Sequence, residues 1–286
     1  MHLKTTAITI TMLLAGCATT ATTEPAAPAA AETATVEAPA QTVAAAYTEF
    51  SKINWVAGPK GDQGPSMSPI HGDPKTGPVS FIFKMPAGYA NGLHSHPAAY
   101  AGAVVSGTVV HGKTAEDSVT LPAGSTWTQD ANQAHYTSCT KDAECVVVGH
   151  FDGPFGTVAS ETAHEGELGS IMTTAEKAVF KPLNPKMPNG PQMLILSGDH
   201  TKEAFRALVK VPVGFKTPMH MHAANYAGAS VVGAMQKNGG EKLGPGSIWT
   251  QKMNEAHMNA CLSDKPCIFF IAMDGAFSMT PAKAAQ

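Results

Sequence analysis

From residue 47 onward the apolar positions come in short runs, often alternating with polar ones. Gly, Pro or Asp closes each run. The clearest are residues 79–84, 103–105, 145–148, 205–211 and 267–273. Alternation puts every second side chain on one face of an extended chain, so these runs predict strands. Sustained helical periodicity is absent. One weak helix start, Thr173-Thr-Ala-Glu176, has the spacing of a capping box. The pattern predicts an all-β chain built from sandwiches or barrels.

The same pattern occurs twice. Gly88, His94, His96, Tyr100 and Gly107 in the first copy answer Gly214, His220, His222, Tyr226 and Gly233 in the second, each 126 residues later. A following block, from Gly124 through Trp127 and Gln129 to His135, answers Gly246, Trp249, Gln251 and His257, now 122 residues later. Four residues are therefore missing between Gly233 and Gly246, a loss that a turn absorbs most easily. The first copy is expected to carry the longer hairpin, over 108–122. Duplication at this length predicts two small domains, placed at 47–156 and 179–286 with a linker at 157–178.

The start of the chain reads differently. Lys4 precedes an apolar run over 7–14 that is too short to span a bilayer, and Leu14-Ala15-Gly16-Cys17 follows. This resembles the lipobox of bacterial lipoproteins, which implies a signal peptide over 1–16 and lipidation of Cys17. Ala18 after the cysteine implies sorting to the outer membrane, facing the periplasm, in preference to the inner membrane. Residues 17–46 are almost all Ala, Thr, Pro and Glu and cannot bury a core. They are read as a tether between lipid and folded chain.

Composition narrows the partners. The formal net charge is −3, charged residues make up 14%, and Lys and Arg do not cluster. Nucleic acid is excluded, because phosphate binding needs grouped cations. Besides Cys17 there are four cysteines, Cys139 with Cys145 and Cys261 with Cys267, one pair per repeat. In an exported chain these read as two disulfides closing short hairpin loops, each adding about 2 kcal/mol.

The spacing Gly-x5-His-x-His-x3-Tyr-x6-Gly, followed by Gly-x5-Asp/Lys-x-Asn-x2-His, resembles the two cupin motifs. Both copies carry it, so the chain resembles a bicupin, most closely those grouped as domains of unknown function. The resemblance implies two tandem double-stranded β-helices, that is, cupin jelly rolls, each with a site inside its barrel. It also implies that copies can pair through sheet edges as a homodimer. The cupin pattern has Glu where this chain has Tyr100 and Tyr226, so the usual carboxylate ligand is missing.

Two histidines spaced by one residue point the same way on a strand, and a third would come from a neighbouring strand. His94, His96 and His135, and likewise His220, His222 and His257, are therefore the candidate metal ligands. Three neutral imidazoles leave positions open and leave the ion its full charge. Outside the cytosol ferrous iron is hard to keep reduced, so the expected cofactor is a divalent metal, zinc ahead of iron or manganese. Tyr100 and Tyr226 are the candidate catalytic residues, as hydrogen-bond donors to a bound molecule; phenolate ligands and plain wall residues are the alternatives.

Trp127 and Trp249 read as core. His150 should face out of its barrel, and His71, His111, His164 and His200 read as surface. Met219, Met221, Met253 and Met258 read as packing. No phosphate loop or nucleophile elbow is present. The expected function is a metal-dependent oxygenase, isomerase or hydrolase for a small polar or anionic molecule. A ligand-binding or sensory module is the alternative.

Overall fold

The computed structural model describes residues 46–283. The export signal, Cys17 and all of the tether but its last residue lie outside the described residues. Among the described residues the regular elements are strands and three single turns of 3-10 helix; the expected helix start becomes one of these turns, Ala175–Lys177. No helix is long and apolar enough to cross a membrane.

Each repeat folds into a barrel of two facing sheets. In the first, the larger sheet runs Thr126–Gln129, Tyr100–Ser106, Cys145–Phe151, Val79–Met85, Ser66–Gly72, Val56–Ala57, all antiparallel neighbours. The smaller sheet runs Val158–Ala159, Ala90–Ser95, His135–Cys139, Thr108–Gly112, Ser118–Pro122. The second repeat repeats the large sheet with Ile248–Gln251, Tyr226–Val232, Cys267–Met273, Phe205–Val211 and Gln192–Ser197. Its small sheet is cut into Lys242–Leu243, Met235–Lys237 and Asn259–Cys261, plus the pair His220–Met221 and Thr280–Pro281. Isolated bridges between Lys216 and Ala260 and between His220 and His257 join the two pieces. The four lost residues shorten the Met235–Lys237 hairpin, whose turn uses Asn238 and Gly239 at positive φ.

The repeats are tied by exchange. Ala46–Thr48, at the start of the first repeat, pairs with Ile248–Gln251 of the second. Met172–Thr173, the equivalent point 126 residues on, pairs with Thr126–Gln129 of the first. The stretch read as a linker therefore supplies edge strands to the first barrel, Val158–Ala159 and Met172–Thr173.

The alternation along Cys145–Phe151 explains the layers. Cys145, Val147 and Phe151 fill the first barrel with Phe81, Val104 and Trp127. Val146 and Val148 turn to the other side, where Ile82, Ala103 and Val105 meet Leu208, Ala229, Val231 and Phe270 of the second repeat. All seven residues of this strand are buried because both faces of its sheet are covered. His150 does face away from its barrel, but into this seam and not into solvent; it is 3% exposed. There its Nδ1 meets Ser80 Oγ at 2.8 Å and its Nε2 meets Arg206 Nη2 of the second repeat at 2.6 Å. The two disulfides close as expected, with Cα separations of 5.8 Å for Cys139–Cys145 and 5.6 Å for Cys261–Cys267.

Candidate metal centre

In the first barrel His94 lies on the Ala90–Ser95 strand and His96 just beyond it. His135 opens the neighbouring strand, directly opposite His94. In the second, His220 bridges His257 in the same way. The structure thus brings together both predicted triads. In each, one ligand atom per histidine lies within 4.8 Å of the other two, and all six side chains are buried.

The orientation of the rings is set by backbone carbonyls. His94 Nδ1 donates to Gly92 O at 3.0 Å, His96 Nδ1 to Gly156 O at 2.6 Å and His135 Nδ1 to Gln133 O at 2.9 Å. His220 Nδ1 donates to Pro218 O at 2.8 Å, His257 Nδ1 to Glu255 O at 3.1 Å, and His222 Nδ1 to Ser278 O. A carbonyl can only accept, so Nδ1 carries the proton and each neutral ring keeps a bare lone pair on Nε2. This second-layer arrangement is the one metal-ligating histidines use. Burial keeps the rings neutral: it holds His94 and His220 below the usual imidazole range, His96 and His222 at about 4, His257 at about 3 and His135 at about 2. Neighbouring imidazoles add to the effect in His96 and His135. Donor chemistry, spacing and tautomer all fit a divalent ion with nitrogen ligands.

Tyr100 and Tyr226 occupy the position of the missing carboxylate. Tyr100 Oη lies 3.2 Å from His135 Nε2 and Tyr226 Oη 3.3 Å from His257 Nε2. Burial raises both phenols above their ordinary value, so they are neutral donors beside the triad. Phe155 and Phe277, half-buried, stand over His96 and His222 with ring centroids 6.0 and 5.6 Å away. Trp127 and Trp249 are core, as expected; each indole packs on a glycine, Gly102 and Gly228, with no room for a Cβ.

Several expectations need correction: Met253, read as packing, is exposed, and His164 and His200, read as surface, are half-buried. His111 is not on the surface: it is fully buried, 5.1 Å ring to ring from His135, bonded to Thr137 Oγ1 at 3.0 Å and Gln129 Oε1 at 3.3 Å. His71 is half-buried and faces Asp274 of the second repeat at 3.4 Å. The position of His111 in the second barrel is taken by Lys237, which sequence reasoning missed. Lys237 is 4% exposed, and its ammonium donates to Tyr226 Oη at 3.1 Å. The rings of Tyr47, Tyr226 and Trp249 surround it at 5.1–5.2 Å. Two signals pointed there: the 126-residue offset aligns Lys237 with His111, and alternation from Val109 turns His111 inward.

No curated protein matches the chain. Solved structures do. A protein provisionally described as a dioxygenase from Nostoc punctiforme superposes with TM-score 0.64 at 12% identity, over 84% of this chain and 87% of that one. Oxalate decarboxylase from Lactobacillus farciminis, in its formate complex, gives 0.55 at 14% identity, over 84% and 89%. A 7S globulin from Momordica charantia gives 0.54 at 11% identity, over 84% and 87%. At such identities the likeness shows the fold, a bicupin, which enzymes and a globulin share. The family described as "Domain of unknown function (DUF4437)" matches residues 46–169 and again 171–286, and the chain belongs to that family, carrying its domain twice.

Proposed function

We propose that this is an exported, lipid-anchored bicupin that holds a divalent metal ion, zinc first, on its histidine triads and acts on a small polar or anionic molecule. One observation carries the metal reading: all six histidines give Nδ1–H to a backbone carbonyl, which leaves Nε2 as the ligand atom. His94, His96 and His135 would hold one ion, and His220, His222 and His257 a second. With no carboxylate in the set, an ion held there would keep its charge and would supply Lewis-acid chemistry, polarising a ligand oxygen or lowering the pKa of bound water. The chain's own part is positional. Tyr100 and Tyr226 donate a hydrogen bond to an oxygen of the bound molecule, and Phe155 and Phe277 limit the access of water. The resemblance of Leu14-Ala15-Gly16-Cys17 to a lipobox supports an anchor at Cys17, at the outer membrane facing the periplasm in preference to the inner membrane.

Elemental analysis of the natively purified chain tests the reading. Zinc at one to two equivalents supports it and favours hydrolysis or isomerisation. Stoichiometric iron or manganese keeps the site but favours oxygen chemistry. A chain that takes up no divalent metal even when supplied with it sinks the metal reading and leaves a ligand-binding module. Cys17→Ser tests the anchor, by moving the chain from the membrane pellet to the soluble fraction.

A further inference from the structure

The segment between the repeats touches the support of all three histidines in the first barrel. Gly156 O accepts from His96 Nδ1 at 2.6 Å. Val158 and Ala159 pair with Ser95 and His94, along the edge of the strand that carries His94. Ser160 N donates to Leu93 O at 2.9 Å. The segment then crosses to the turn before His135. Gly169 N donates to Gln133 Oε1 at 2.7 Å, and Gly169 O accepts from Asp130 N at 2.9 Å. Between these points Lys113 Nζ donates to Gly166 O at 2.8 Å.

Gln133 is the junction. Its side-chain oxygen takes two donors, Gly169 N and, at 3.2 Å, Nε2 of the buried Gln129. Its backbone oxygen takes the His135 Nδ1 proton at 2.9 Å. A turn residue held by its side chain from two directions presents its carbonyl at a fixed point. Gly169 suits the place because a Cβ there would run into the Asp130 carboxylate. The second repeat has Glu255 where the first has Gln133. It repeats the pattern: Glu255 O takes the His257 Nδ1 proton, and Glu255 Oε2 takes Gln251 Nε2 at 3.3 Å. Gln and Glu share a side-chain oxygen that accepts, and that is what both barrels use here.

We propose that Gln133 is a positioning residue of the first metal centre, and that the 156–171 segment holds it there through Gly169. This rests on the metal reading above and adds what aims the third ligand. With Gln133 clamped, His135 keeps its proton on Nδ1 and its Nε2 lone pair toward the other two ligand atoms. Without the clamp the turn before His135 can shift, the carbonyl leaves the Nδ1–H direction, and the ring can rotate or change tautomer. Gln133 acts only through His135.

The test uses the full-length chain carrying His257→Ala, so that only the first triad can take up zinc. Zinc affinity is read by competition with a chromophoric chelator. The His135 tautomer is read from imidazole nitrogen shifts in the metal-free protein. Gln133→Leu is expected to weaken zinc binding about 10–100-fold and to mix the His135 tautomers. Gly169→Ala should do the same from the other side of the clamp. Gln133→Glu, which keeps the oxygen and copies Glu255, is expected to stay within about threefold of the parent and to keep Nδ1–H. Zinc affinity of the second triad, read in a His135→Ala parent, should not move in any of the three; a general loss of stability would lower it too. Zinc held by Gln133→Leu or Gly169→Ala as tightly as by the parent overturns the proposal, as does Gln133→Glu binding no better than Gln133→Leu. If the parent takes up no zinc, the metal reading falls and the tautomer decides alone. His135 fixed as Nδ1–H in Gln133→Leu then overturns the clamp; mixed tautomers there, with Nδ1–H kept in Gln133→Glu, bear it out.

Discussion

Lys237 stands in the second barrel where His111 stands in the first: Lys237 pairs with Asn259, two residues past His257, and His111 pairs with Thr137, two residues past His135. The two barrels are alike in backbone and unlike in charge. This difference makes the first prediction. Burial lowers Lys237 to about 7 from an ordinary 10.5, so between those values the unfolded chain binds more protons and stability rises with pH. Lys237→Met is expected to raise stability at pH 7 by about 2–4 kcal/mol, after loss of the Tyr226 bond and the ring contacts. The gain should shrink as pH approaches 10.5. Urea melts of both chains at pH 7 and pH 9.5 check this; equal gains at both would show that the amine is not strained in the fold.

The triads set the second prediction. His135→Ala and His257→Ala each remove the ligand that closes one cluster. A lost outer-layer partner of a metal site already costs about 10–100-fold in affinity, so a lost ligand should cost at least about 100-fold in that barrel only. Competition with a chromophoric chelator should show one equivalent lost per single variant and none retained in the double variant. Metal uptake unchanged in both single variants would place the ion elsewhere.

Acid sensitivity follows from the same burial. His96 and His222 sit at about 4 and His111 at about 3, against 6.5 unfolded. Below pH 6.5 the unfolded chain takes up protons that the folded chain refuses, so stability is complete above that value and falls as pH drops toward 4. Each such group costs on the order of 1 kcal/mol per pH unit in this window. The metal-free protein should therefore lose Tm steeply between pH 6.5 and 4.5. Bound zinc should flatten the fall at moderate acidity by mass action. A Tm that stays level to pH 4.5 without metal would contradict it.

Much of the fold and of the triads is legible in the sequence, and what is hidden has physical causes. Alternation gave the strands because a one-faced strand must alternate, and the constant offset gave the duplication. His-x-His gave the triads because that spacing points two rings one way. His111 reads as surface because no partner lies near it in sequence; its partners, Thr137 and Gln129, come from strands folded beside it. His150 was oriented correctly relative to its barrel, but a sheet covered on both faces has no outside. The exchange of Ala46–Thr48 and Met172–Thr173 had no local signature, since a two- or three-residue edge strand is chosen by the geometry of the seam and not by its own residues.

Glycine under the indoles offers a fourth prediction. A Cβ on Gly102 would come within 2.9 Å of the Trp127 ring, and one on Gly228 within 2.3 Å of the Trp249 ring. Neither indole can retreat, because both lie in filled barrel interiors. Gly102→Ala and Gly228→Ala should each destabilise by about 1–3 kcal/mol, with Gly228→Ala the worse. Denaturant midpoints of the two variants decide it, and a neutral Gly228→Ala would mean that Trp249 has room to move.

The last prediction concerns the seam. Arg206 of the second repeat is 7% exposed and reaches into the first, to His150 Nε2 at 2.6 Å and Asp152 Oδ1 at 2.8 Å. The first repeat has Ser80 at the equivalent place, and that serine completes the cluster from the other side of His150. Arg206 has to be held in its charged form, since burial pulls its pKa down while Asp152 and Asp274 oppose the fall. Asp152 is itself nearly half exposed, so solvent screens the ion pair and the hydrogen bonds carry most of the effect. Removing the guanidinium strips His150 of a donor and opens the seam, which should cost about 2–3 kcal/mol in Arg206→Ala. Arg206→Met, which keeps the volume, should recover part of that loss. Because the seam also carries the core shared by both repeats, the loss should appear in one cooperative transition and not as separate melting of one barrel. Calorimetry of Arg206→Ala distinguishes the two, and two resolved transitions in the wild-type chain would show that the repeats fold independently.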